Sequence, residues 1–169
     1  MKIVTLFMLS LGFISCNQSS NSNTQKLQNR INSLEKQIAQ SYKPGFGELM
    51  GNIQTHHAKL WFAGTNKNWK LADFEIHELI ENVENITLFN SDRKESALVD
   101  MINPDLDSLK MSIKNKDIKA FKSHYITMTN TCNKCHSLTH FDFNIVTVPK
   151  VSSFSNQEFS INKKTYICK

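Results

Sequence analysis

The sequence predicts a mainly α protein: an antiparallel four-helix bundle with a short N-terminal lead helix and a small C-terminal β-hairpin or extended tail. Three observations predict it. Apolar residues recur at helical spacing in four successive segments from Phe46 to Cys135. The breaks between those segments are short and rich in Asn, Asp and Gly, which favours antiparallel neighbours. Beyond residue 140 the apolar period changes from helical to two.

The elements follow in order. Residues 1–15 carry Lys2 and then the apolar run Ile3 to Ile14, too short to span a bilayer, and read as a signal peptide. Residues 16–26 begin with Cys16 and continue through Asn17-Gln18-Ser19-Ser20-Asn21-Ser22-Asn23, a polar stretch that reads as a flexible tether. Residues 27–140 form the expected helical domain. Leu27, Ile31, Leu34 and Ile38 give its lead helix one narrow stripe, under two heptads long, and packing on its own domain is expected rather than a coiled coil. Pro44 and Gly45 break that pattern.

Phe46, Leu49, Met50, Ile53, His57, Leu60 and Trp61 share one face of the first bundle helix, and Gly64 is expected to end it. Trp69 opens the second, with Ala72, Ile76, Leu79, Ile80, Val83 and Ile86 inward. The third runs from about Glu95 to Lys114, with Pro104 implying a kink or a fresh start after Asn103. The fourth begins near Asp117 and carries Ile118, Phe121, Tyr125, Met128, Cys132 and Cys135 on one stripe. Residues 141–169 read as a β tail packing on the bundle. Phe141, Phe143, Ile145 and Thr147 alternate with Asp142, Asn144, Val146 and Val148, and 158–161 and 165–168 flank Asn162-Lys163-Lys164 as a hairpin would.

Loss of the first fifteen of 169 residues leaves a length that suits one domain. The formal charge of +5 is modest and well mixed with acidic residues, so no nucleic-acid partner is expected. The Glu75, Glu78, Glu81 and Glu84 series reads as a solvated helix face, and His56 as a solvated flank residue. His77 and His124 read as surface residues on helix edges.

The chemistry concentrates in Cys132-Asn133-Lys134-Cys135-His136. Two thiols two residues apart can reach the two vinyl groups of one haem and form thioethers, with the adjacent imidazole placed to ligate the iron. A zinc site needs two more ligands, and only His136 and His140, one turn apart, are near. A thioredoxin-like dithiol wants a preceding strand and a βαβ context, and a helix precedes this motif. The expected cofactor is therefore one covalent haem c, held by Cys132 and Cys135, with His136 as axial ligand. Cys168 has no evident partner.

Three resemblances add to this. The end of the leader, Phe13-Ile14-Ser15-Cys16, resembles the lipobox of bacterial lipoproteins, although Phe13 stands where Leu is usual. It implies lipidation at Cys16 and a location on the periplasmic side of a bacterial membrane, inner or outer. A bundle with the haem motif on its last helix resembles the cytochrome c prime type over about residues 45–140. Only 33 residues follow His136 and none is Met, which excludes the common small cytochromes c with a downstream Met ligand. Finally, His57-Ala58-Lys59-Leu60-Trp61-Phe62-Ala63, Asn68-Trp69-Lys70-Leu71-Ala72, the Cys132–His136 motif and Ser155-Asn156-Gln157-Glu158-Phe159 look like a little-characterised group of exported monohaem cytochromes.

The sixth ligand is expected from the first bundle helix, which lies beside the fourth in an antiparallel bundle. His57 is the histidine on its apolar stripe, with Met50 two turns earlier as the alternative ligand. Ile53, Leu60, Trp61, Tyr125 and Met128 complete the expected haem pocket. The first functional expectation is electron transfer to redox partners in the envelope by a six-coordinate haem. The second is a five-coordinate gas-binding protein with His57 off the iron. The third is a haem that serves as a structural or sensory element of an envelope interaction protein. A homodimer is possible. No acid–base pair or nucleophile constellation stands out, so an enzyme is not expected.

Overall fold

The computed structural model describes residues 18–39, 41 and 43–161. The expected signal peptide, Cys16, Cys168 and the 165–168 hairpin arm lie outside the described residues. What is described is mainly helical: α1 (Gln18–Ala39), α2 (Phe46–Thr65), α3 (Trp69–Phe89), α4 (Ser96–Val99), α5 (Asn103–Lys114) and α6 (Ile118–Leu138), with a 3-10 turn at Asp100–Ile102. Among the described residues no helix is long and apolar enough to cross a membrane.

The chain divides into two units, residues 1–43 and residues 44–169. In the first, α1 already includes Gln18–Asn23, which composition places in a tether. Leu27, Ile31, Leu34 and Ile38 are all exposed.

In the second unit α2 packs along α3, α5 along α6, α3 on α5, and α2 more sparingly on α6. The core is built largely from the predicted stripes: Leu49 and Leu60 of α2; Ala72, Ile76, Leu79, Val83 and Ile86 of α3; and Phe121, Tyr125 and Met128 of α6, with Ala63 of α2 added. Helix starts are chemically marked. The Asn68 side chain accepts from Leu71 N–H at the head of α3, and Asp117 accepts from Lys119 and Ala120 N–H at the head of α6. Pro104 sits in the first turn of α5, so the predicted third helix is two helices joined by the 3-10 turn.

Gly64 is not the end of α2, which runs to Thr65. Its reason is packing: a Cβ there would fall inside the Phe121 ring, which is wholly buried. Three helix ends close instead on non-glycine residues in the left-handed region: Lys67 (φ 58°), Lys116 (φ 55°) and His140 (φ 63°). Each makes the paired bonds of a Schellman motif. Lys67 and Asn68 N–H donate to Gly64 and Ala63 O, Lys116 and Asp117 N–H to Ile113 and Ser112 O, and His140 and Phe141 N–H to Ser137 and His136 O. The two bonds offset the roughly 1–2 kcal/mol that a Cβ costs in that conformation.

No strand forms among the described residues of the tail. Phe143 and Ile145 are exposed, while Val146 and Val148 turn partly inward. Further on, Phe159 is buried against Phe62 with ring centroids 5.5 Å apart, and Asn68 Nδ2 donates to Phe159 O at 3.3 Å. Among the described residues the tail is thus held by side-chain anchors rather than by a sheet.

Candidate functional site

The last turns of α6 present Cys132, Cys135 and His136 to one cavity between α6 and the helices α2 and α3. Its opposite walls come from Met50, Ile53, Gln54 and His57 of α2 and from Leu79 and Val83 of α3. Val99, Met101, Ile102, Asn144 and Val146 complete the lining. The enclosed space is about 80 Å³ and widens into an open mouth. Most of the lining is apolar. The polar groups are Gln54 and His57 of α2, Thr131, Cys132, Cys135 and His136 of α6, and Asn144.

The segment after α6 reaches this cavity because the His140 turn reverses the chain. Asn133, one of the two intervening residues of the motif, then clamps it: its Nδ2 donates to Val146 O at 2.9 Å, and Val146 N–H donates to its Oδ1 at 2.8 Å. The same reversal brings Asn144 O to 2.6 Å from His136 Nδ1. A carbonyl only accepts, so Nδ1 is the donor and Nε2 is the nitrogen left to ligate a metal. Asn133, Met101, Asn144 and Val146 were not legible as site residues, because their roles depend on backbone partners that a one-dimensional pattern does not reveal.

Burial pushes the Cys132 thiol up to about 12, with the neighbouring Cys135 adding to the shift, and burial raises Cys135 as well. Both side chains therefore stay as thiols. A dithiol oxidoreductase needs the opposite, a thiol lowered toward neutral pH. Among the described residues no three His, Cys, Asp or Glu side chains converge to hold a metal ion, so Cys132, Cys135, His136 and His140 do not make a zinc cage. For a haem the donor set fits: two thiols one helical turn apart and one oriented imidazole, all on the wall of a largely apolar cavity.

His57 lines the cavity but is buried and engaged on both ring nitrogens. Nδ1 lies 2.9 Å from Tyr125 Oη, and Nε2 lies 2.9 Å from Thr129 Oγ1. Tyr125 Oη is also 2.7 Å from His57 O, and Thr129 Oγ1 is 2.9 Å from Tyr125 O. The hydroxyls thus have carbonyls to donate to and can take either role toward the ring. Burial lowers the His57 pKa to about 4, so the ring is neutral at pH 7.

This carries a pH dependence. An unfolded histidine binds its proton near pH 6.5, whereas folded His57 resists it until about 4. Between those values the unfolded state holds more protons, so stability falls as pH drops from 6.5 toward 4. The loss amounts to roughly 3 kcal/mol, at about 1.4 kcal/mol per unit. Urea unfolding of wild type and His57→Asn across that window checks it: the variant is expected to show a shallower fall, and parallel curves would refute it.

Of the other expected pocket residues, Ile53, Met50 and Met128 reach the cavity wall. Leu60, Trp61 and Tyr125 do not. Leu60 and Tyr125 are wholly buried, and Trp61 packs on the Tyr125 ring at 4.8 Å, forming the core beneath the site. His56 and Glu75 also depart from expectation. Glu75 is 1% exposed, and its Oε2 lies 2.7 Å from His56 Nδ1, so neither belongs to a solvated face. The reason is helical drift: residues three apart rotate about 60° per step, which carries Glu75 round onto the stripe of Ile76 and Leu79. Set against known proteins, the chain matches no family model, no curated protein and no solved structure.

Proposed function

We propose that this chain is an exported monohaem c-type cytochrome. Cys132 and Cys135 would hold haem c through thioethers, and His136 would ligate its iron. α2, α3, α5 and α6 form the antiparallel bundle that holds it. The observation that carries this reading is the convergence of both thiols and His136 on one cavity, with His136 Nδ1 committed to Asn144 O. When bound, the haem supplies a one-electron redox couple and a second axial position on its iron. The residues do the rest. Cys132 and Cys135 fix the group to α6, and Asn144 orients His136. Asn133 holds the 144–146 segment in place, and the apolar walls exclude water.

His57 reads better as a wall than as a sixth ligand, since each ring nitrogen already has a hydroxyl partner. Ile53, Leu79 and Val83 make an apolar part of the cavity wall, which would suit a small neutral ligand such as NO or CO. The leader and Cys16 place the protein on the periplasmic side of a bacterial membrane through a lipid anchor. A second reading, electron transfer to envelope redox partners by a six-coordinate haem, is favoured by Met50, whose thioether reaches the same cavity.

Absorption spectra of the ferric, ferrous and ferrous-CO forms decide between them. High-spin bands, prompt CO binding and no change in spin state on His57→Ala are expected. Low-spin bands that CO barely perturbs would contradict an open site. If Met50→Ala then turned them high-spin, the electron-transfer reading would replace it.

A further inference from the structure

We propose that α1 pairs with α1 of a second copy of this chain as a short parallel two-stranded coiled coil. The apolar residues of α1 are spaced four, three and four apart, which sets Leu27 and Leu34 at heptad position d and Ile31 and Ile38 at position a. Leu at d with β-branched Ile at a is the combination that favours parallel dimers. All four side chains are 42–71% exposed, so the seam is open along its length. The outward positions Asn29, Asn32, Ser33 and Lys36 are polar, and no Gly or Pro interrupts the helix.

The flanking charges choose both the partner and the direction. Arg30 falls at position g and Glu35 at position e of the next heptad, five residues on. In a parallel pair those two positions face each other across the seam, so each copy's Arg30 meets the other copy's Glu35, twice per dimer. In an antiparallel pair g faces g and e faces e, and Arg30 and Glu35 never meet. Self-complementarity of this kind is what a two-fold interface requires. The inference is independent of the haem assignment.

Cysteine linking in the full chain tests it. Leu34→Cys puts a thiol at a d position, within disulfide reach of its counterpart only in a parallel, in-register pair, and Asn29→Cys puts one on the outside. Under mild oxidation at low salt, Leu34→Cys is expected to give several-fold more disulfide dimer than either the parent chain or Asn29→Cys. Adding Arg30→Glu or Glu35→Arg alone to Leu34→Cys should cut the yield several-fold, and adding both should restore it. Equal linking at 29 and 34, yields indifferent to charge reversal, or failure of the double swap to rescue would each overturn the proposal.

Discussion

Replacing Cys132 and Cys135 together with Ser is expected to yield a folded chain from which all haem dissociates on denaturation. Each single Ser variant should keep the haem through one remaining bond. Three residues of α-helix turn by about 300°, so both sulfurs stay on the same side of α6 and share the cavity wall. A thioether forms when the S–H adds across a vinyl group, a reaction open to either thiol on its own. Ser is nearly isosteric with Cys, so the fold should survive. Haem-linked absorbance on a denaturing gel reads the outcome directly. Full retention of haem by the double variant would mean that attachment is elsewhere.

Replacing His56 with Ala is expected to cost the folded domain about 1–3 kcal/mol, the range for leaving a buried polar group without its hydrogen-bond partner. Glu75 is the reason. It is 1% exposed, its Oε1 has no hydrogen-bond partner among the described residues, and Oε2 depends on His56 Nδ1 at 2.7 Å. The outer nitrogen of His56 is 3.9 Å from Glu78, too far to hold the ring alone. Removing the imidazole leaves the Glu75 carboxylate buried with nothing facing it. Adding Glu75→Leu to the Ala variant should recover most of the loss, because an apolar side chain of similar size needs no partner there. Urea denaturation at pH 7 measures both. A cost under about 1 kcal/mol for the single variant would show that water satisfies Glu75 instead.

How far the sequence carries is clearest at the two histidines of α2. Helical period alone places His57 inward and says nothing of which group meets its nitrogens. Thr129 and Tyr125, which do so, are 72 and 68 residues away. The same period places His56 on a flank, and only the drift of Glu75 onto the buried stripe of α3 turns that flank into a contact. Helix starts were legible because Asn68, Pro104 and Asp117 act on backbone within three residues of themselves. The tail was not, because alternation states only which residues share a side. Its backbone bonds run to Asn133 and to the turn at His140 rather than to a neighbouring strand. Within the motif, Cys132, Cys135 and His136 were legible from spacing, whereas Asn133 and Asn144 act through main-chain atoms and leave no such mark.

The most direct measurement is the intact mass and absorption of the denatured full chain after expression with haem-attachment machinery. A covalent c-type haem predicts a mass increased by one haem and a haem absorption band that survives acid–solvent extraction. A chain at its apo mass, with all haem lost to the solvent or none acquired, would contradict it.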